Sequence, residues 1–361
     1  MGASPSQLEV REPENAFHAI EEWLRGQGFF VPGGEELVAD LYLGYSLSQS
    51  IRRLVTPAPP EPCAALPLAA CVVRPTRYVV EYDNDNVHVG AWDRDWSGSD
   101  YGAAVEQVRA AIARGDVYQV NLVQHLSASF SGTPVALAAR LAPLAPLHSR
   151  PFAGAGWAVV SASPELFLAR RGRRVWTMPI KGTRPLGEAA ELRNSAKDAA
   201  EHVMIVDLER NDLSRICEAG SVRWPELKAT RELAGVEHMV STVEGTLRQD
   251  VGLAEILGAT FPGGSVTGAP KIAAVDLIAE LEPVGRGASM GALGRVYGNG
   301  DFDLALTIRT FAIADGRIHL WVGGGVVWDS EPDAEVEESW TKARPLLDAI
   351  GSRVDLSAVG G

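Results

Sequence analysis

Several short stretches carry residue types that do chemistry once they are brought together. Near the C-terminus, EPDAEVEESWTKARPLLDAI sets Glu335, Glu338 and Lys342 at i, i+3 and i+7, one stripe on a helix. Two carboxylates a turn apart can share a hard cation such as Mg2+, leaving the lysine for a substrate anion. The same spacing also describes a solvated acidic face with one Glu–Lys pair. In WVGGGVVWDS, Gly323, Gly324 and Gly325 interrupt a β run, which marks either the close approach of a ligand carboxylate or tight sheet packing. Arg309, in DLALTIRTFAIA, can clamp a carboxylate with its fork or face solvent from a sheet. FPGGSVTGAPK puts a glycine-rich loop and Thr267 before a helix, an anion site or a plain turn. It is no P-loop, because Ala269 and Pro270 precede Lys271. Finally, TMPIKGTRPLG ends an apolar extended run on Lys181. An amine is a nucleophile only when neutral, so its pKa would have to fall from about 10.4; otherwise Lys181 is a surface charge.

These residues need elements to hold them. In the strand before Lys181, Trp176, Met178 and Ile180 alternate to one face, which sends Lys181 to the other. Apolar spacing predicts helices over about 101–116, 188–207, from Pro270, and over about 332–350. The 188–207 helix is expected to bury Leu192, Ala196, Ala199, Val203 and Val206, and the last one Val336, Trp340, Ala343, Leu347 and Ile350. Strands are expected over 117–130, near 155–161, 165–169 and 173–180, over 289–297, and as one run over 302–314. Tight turns such as GNGD and ADGR join neighbouring strands, so the expected class is α+β, antiparallel sheets with helices packed outside, and the length allows one large domain or two average ones. Residues 1–100 are the less regular part, 101–350 the regular part, and 351–361 a tail.

Composition narrows the classes. A net charge of −13 argues against general nucleic-acid binding, so any anion site must be locally positive or use a metal. No run is long and apolar enough to span a bilayer, and MGASPS reads as a disordered start, not as a myristoylation signal. Cys63, Cys71 and Cys217 have no zinc spacing and no Gly-x-Cys-x-Gly elbow, which suits reduced thiols in a cytoplasm.

The order of the motifs adds what none gives singly. SASPELFL, MPIKGTRPLG, AEHVMIVDLERNDLSRICEAGSV, EHMVSTVEGTL, FPGGSVTGAPK, GRVYG, IRT and GGGVVWDSEPDAEVEESWTKA together resemble the chorismate-utilising enzymes, which make anthranilate, aminodeoxychorismate, isochorismate and salicylate. The resemblance covers about 100–350. It implies a single large domain of two orthogonally packed antiparallel sheets with helices on the outside and a Mg2+-dependent site between the sheets. It implies metal binding by Glu201, Glu335 and Glu338, and carboxylate binding by Tyr297 and Arg309 and by Gly323 to Gly325 with Lys342. His238 and Thr267 would line the ring. Anthranilate-forming members are similar to PIAGT at the Lys181 position, whereas PIKGT resembles the branch that puts nitrogen on carbon 4 of chorismate. There Lys181 would be a covalent nucleophile and Glu165 the general acid. Ammonia would come from a separate glutamine amidotransferase subunit, and a downstream lyase would yield 4-aminobenzoate for folate.

Overall fold

A computed structural model describes residues 6–31, 36–54, 56–76, 86–233 and 236–354, with backbone alone at 183, 185, 196–198, 233 and 236. The MGASP start and most of the 351–361 tail lie outside the described residues.

In chain order the strands are β1 (Gln7–Val10), β2 (Leu37–Leu43), β3 (Ala69–Pro75), β4 (His88–Val89), β5 (Asp93–Arg94), β6 (Gln119–Ser131), β7 (Phe152–Gly154), β8 (Trp157–Ser161) and β9 (Leu166–Arg171). They continue with β10 (Arg174–Met178), β11 (Ile180–Pro185), β12 (Arg223–Leu233), β13 (Val236–Thr246), β14 (Gly268–Ala269), β15 (Ala292–Tyr297), β16 (Phe302–Leu306), β17 (Thr310–Ala314) and β18 (Arg317–Val326). The helices are α1 (Ala16–Gly26), α2 (Gly98–Arg114), α3 (Pro134–Leu141), α4 (Ala189–Asn194), α5 (Ala196–Ser214), α6 (Leu253–Thr260), α7 (Lys271–Leu281) and α8 (Pro332–Ala349).

Two antiparallel sheets result. The first runs β1-β3-β2-β15-β16-β9-β10-β13-β11, with β12 also on β13; the second runs β14-β6-β18-β17-β8-β7, with β4 and β5 on β6. Strands from the first 100 residues therefore share a sheet with β15 and β16. The larger core draws Leu41, Leu168 and Leu304 from the first sheet and Val120, Leu122 and Val159 from the second. A smaller core packs Leu137 of α3 and Trp340 and Leu347 of α8 onto Leu126, Val160 and Phe311 of the second sheet. Helix α8 buries the stripe its sequence shows, with Trp340, Ala343, Leu347 and Ile350 all at most 4% exposed.

Two expectations are corrected and a third is made more specific. The run 302–314 is two strands in different sheets, broken at Thr307–Arg309, because the chain crosses there from the first sheet to the second. The 188–207 helix is interrupted at Ser195, and Val203 is 45% exposed while His202, Glu209 and Asp212 turn inward. Alternation before Lys181 holds in parity, but Val175 and Thr177 are buried and Trp176 and Met178 half-buried, so Lys181 shares parity with the interior residues. Arg174 lies 4.7 Å over the Trp176 ring on the outer face.

Candidate active site

The chain passes between the sheets twice in adjacent places. It leaves β8 for β9 through Ala162–Glu165, and β16 for β17 through Thr307–Arg309. The crossings bond to each other: the Ala162 N–H donates to Arg309 O at 2.9 Å, and the Leu306 N–H to Glu165 O at 3.0 Å. Glu165 and Arg309 are thus both placed in the gap between the sheets. Glu165 is buried and accepts the Ser265 hydroxyl at 3.0 Å. Burial pushes its carboxyl above the usual range, against the opposing charge of Lys181. A carboxyl so shifted is suited to hold and release a proton. Arg309 has φ +49°, a left-handed conformation that a non-glycine residue adopts only where its surroundings enforce it. Its charge is felt by both Glu165 and His238.

Lys181 enters the same gap from β11. Its Nζ lies 3.0 Å from Oε1 of Glu201 on α5, and both side chains are largely covered, at 15% and 19% exposed. The same oxygen accepts the Gln119 amide N–H at 2.8 Å, from the first residue of β6. Burial alone would lower the Lys181 ammonium, but Glu201 and Glu165 outweigh it and hold it above its ordinary value. Glu201 is held low by the same pairing against its own burial. The register of β11 on β13 shifts between Lys181 and Thr183, where Gly182 takes φ +68°. His238 of β13 is buried at that bulge, and its Nδ1 contacts Gly182 O at 3.3 Å.

Helix α8 closes the third side. Lys342 Nζ donates to Gly323 O at 3.0 Å and pairs with Glu338 Oε1 at 2.7 Å. A Cβ on Gly324 would stand 3.2 Å from Glu338 Oε1, 3.3 Å from Glu335 Oε2 and 3.3 Å from Lys342 Nζ. On Gly325 it would stand 2.1 Å from Gln119 Nε2 and 3.1 Å from Glu201 Oε1. The glycines are therefore required because side chains from α8, α5 and β6 converge over them, whereas at Gly323 a Cβ would strike Leu122 O at 1.8 Å and the reason is sheet packing. Among the described residues no three acidic, histidine or cysteine side chains are grouped so as to hold a metal ion. The donors that face Gly324 and Gly325 from Glu335, Glu338 and Glu201 are carboxylate oxygens, a type that suits a hard cation such as Mg2+.

Two expected residues stand apart. Tyr297 ends β15 at the GNGD hairpin, donating to Asp303 Oδ2 at 3.1 Å beneath Arg171. The Arg309 crossing is reached from the other end of that hairpin, where Ala292 pairs Leu306; five residues of strand, about 17 Å, separate the two. Tyr297 thus does not join Arg309. Ser289 does lie there, its hydroxyl 3.4 Å from Thr307 O. Thr267 is buried with its hydroxyl given to Gly263 O at 2.9 Å, so it closes a turn; the hydroxyl of that loop which reaches the site is that of Ser265. Gln119, Ser265 and Ser289 carry no motif that sequence reading weighs, since a neutral side chain on a strand or turn looks structural until its neighbours are known.

The fold has counterparts among solved structures. The chain superimposes on anthranilate synthase component I from Streptococcus pneumoniae with a TM-score of 0.83, covering 96% of this chain and 91% of that one at 24% identity. It is 43% identical over 265 residues to anthranilate synthase component 1 of Thermus thermophilus, 71% of this chain and 57% of that protein. It is 41% identical over 272 residues to aminodeoxychorismate synthase component 1 of Klebsiella aerogenes, 73% of this chain and 60% of that protein. The chain thus spans under two thirds of the length of the Thermus and Klebsiella proteins. Over residues 61–348, the stretch that supplies Glu165, Lys181, Glu201, Arg309 and the α8 carboxylates, the sequence matches the chorismate binding enzymes, and the chain belongs to that family.

Proposed function

We propose that the chain aminates chorismate at carbon 4 to give 4-amino-4-deoxychorismate, with ammonia from a glutamine amidotransferase subunit. The observation that carries this reading is Lys181 inside the cluster, 3.0 Å from Glu201 and within electrostatic reach of Glu165. Relatives named for anthranilate and for aminodeoxychorismate lie at the same distance in sequence, so overall identity does not choose the product. A buried lysine facing a proton-holding carboxyl supports amination at carbon 4.

Retention of configuration at carbon 4 is met by two displacements with allylic shift. The Lys181 amine adds to carbon 2 as the carbon 4 hydroxyl leaves, and Glu165 gives that hydroxyl its proton. Ammonia then bonds to carbon 4 and the lysine amine leaves carbon 2, restoring the ring double bonds. Arg309 holds one substrate carboxylate, while Lys342 and the backbone of Gly323 to Gly325 face the other. Glu201, Glu335 and Glu338 would hold Mg2+, which would neutralise the ring carboxylate and draw electrons toward it. In the resting chain Glu201 keeps Lys181 charged, so activation of the amine requires Glu201 to be drawn away from it. Gln119 is placed beside this pair; its Oε1 is buried with no hydrogen-bond partner among the described residues, an acceptor suited to an N–H of ammonia.

Incubation with chorismate, MgCl2 and ammonium chloride tests the reading. Product that a 4-amino-4-deoxychorismate lyase converts to 4-aminobenzoate is expected; fluorescent anthranilate without 4-aminobenzoate would overturn it.

A further inference from the structure

We infer that Thr310 and Ser161 are positioning residues for substrate binding: their paired hydroxyls hold the backbone around Arg309 and so aim its guanidinium. The inference rests on the reading of Arg309 as the group that takes a substrate carboxylate.

The strained residue is bracketed by hydrogen bonds on both sides. Thr310 Oγ1 donates to Ile308 O at 2.8 Å, spanning Arg309 from the residue after it to the residue before it. Having spent its only proton there, the Thr310 hydroxyl must accept from Ser161 Oγ, 2.8 Å away. Ser161 Oγ in turn accepts the Ser163 N–H at 3.2 Å. The direction of every bond is thereby fixed, from Ser163 N–H through Ser161 and Thr310 to Ile308 O. All three hydroxyl residues are buried, at 5%, 0% and 1% exposed for Ser161, Thr310 and Ser163. In low dielectric such a chain is stiff, and losing one member leaves the others unsatisfied.

Its place in the fold explains why side chains are needed. Thr310 and Ser161 are the last cross-strand pair of the β17–β8 ladder. Beyond them the paired ladder stops, and the Ala162 N–H to Arg309 O bond ties the crossings at Arg309. Without the hydroxyls, φ of Arg309 could relax from +49° toward an ordinary value and swing the side chain out of the gap. The same run also reaches Glu165, whose N–H donates to Ser163 Oγ at 3.3 Å, so the anion clamp and the carboxyl are held in one frame.

The test is a split between KM and kcat. Valine suits the strand as well as threonine, but Thr310→Val removes both hydroxyl bonds. It is expected to raise KM for chorismate roughly tenfold or more, with kcat in MgCl2 and ammonium chloride changed by no more than about twofold. Thr310→Ser, which keeps the hydroxyl, is expected to restore the KM. Should the valine variant not fold, Ser161→Ala is expected to raise KM likewise, since it leaves the ladder intact and removes the donor to Thr310. Wild-type KM in the folded Thr310→Val or Ser161→Ala protein overturns the inference. So does a serine variant as impaired as valine, which would assign the effect to the methyl group. Arg309→Ala separates the two levels: unchanged KM there sinks the reading of Arg309 itself, whereas a raised KM there with normal KM in the hydroxyl variants sinks the positioning role alone.

Discussion

Lys181 shows how one side chain changes meaning with its surroundings. Strand parity sets it opposite Trp176, Met178 and Ile180, and parity alone does not say which face is the interior. The face is decided by what packs on it: arginines cover the Trp176 side, while Val175 and Thr177 are buried with the lysine's side. Once inside, an ammonium persists only with a counter-ion, and Glu201 supplies it at 3.0 Å. This arrangement makes a two-part prediction for Lys181→Ala. Amination at carbon 4 should fall by at least about a hundredfold, the scale of losing a covalent nucleophile. Mg2+ affinity, measured by calorimetry, should rise or hold, because the competing charge on Glu201 has gone. Amination at the wild-type rate would refute the nucleophile; weakened Mg2+ binding would refute the competition for Glu201. Trapped adduct on Lys181, seen by mass spectrometry, is the positive counterpart.

At the scale of elements, legibility followed amphipathicity. Helix α8 was readable from its sequence because its core stripe and its Glu335, Glu338, Lys342 stripe occupy different faces. Helix α5 was not, because it turns His202, Glu209 and Asp212 inward and leaves Val203 outside, the reverse of a hydrophobic pattern. Its inward face serves the site and its polar neighbours, and only the positions of β6, β11 and β13 make those residues buried. Strand β18 was half legible: three glycines signalled a close approach but not to what. The structure separates them, and substitutions can verify the separation. Gly325→Ala would press on the mobile ends of Gln119 and Glu201, so turnover should fall by about tenfold or more with little change in melting temperature. Gly323→Ala would drive a methyl into backbone at Leu122 O, and should destabilise the fold by about 1–3 kcal/mol. Equal thermal losses in the two variants, read by circular dichroism, would contradict this division.

At the scale of the whole molecule, the class of fold follows from turn chemistry and strand spacing, but the crossings between sheets do not. The large apolar residues alternate on even positions from Phe302 to Ile308 and on odd ones at Phe311 and Ile313, a change of phase but not of period, and period alone does not show that the chain changes sheets at Thr307–Arg309. That crossing is what delivers Arg309 to Glu165, so the site's centre was the least legible part of the fold. The molecule as a whole also limits how nitrogen reaches the site. Hydrolysis of glutamine requires a nucleophilic thiolate in an accessible, electropositive setting. Cys63, Cys71 and Cys217 are the three cysteines of the sequence, and all are buried. Burial pushes the Cys217 thiol up to about 11 and the other two higher still. Among the described residues no helix is long and apolar enough to cross a membrane. The purified chain should therefore form product from chorismate with ammonium chloride and none with glutamine. Its ammonia-dependent rate should survive iodoacetamide at neutral pH, since none of the thiols is exposed or ionised there. Raising pH toward the pKa of ammonium should raise the rate at fixed total ammonium, because the free base is the attacking species. Product from glutamine with the chain alone, or rapid loss of the ammonia-dependent rate on alkylation, would place a reactive thiol in this protein and remove the need for an amidotransferase subunit.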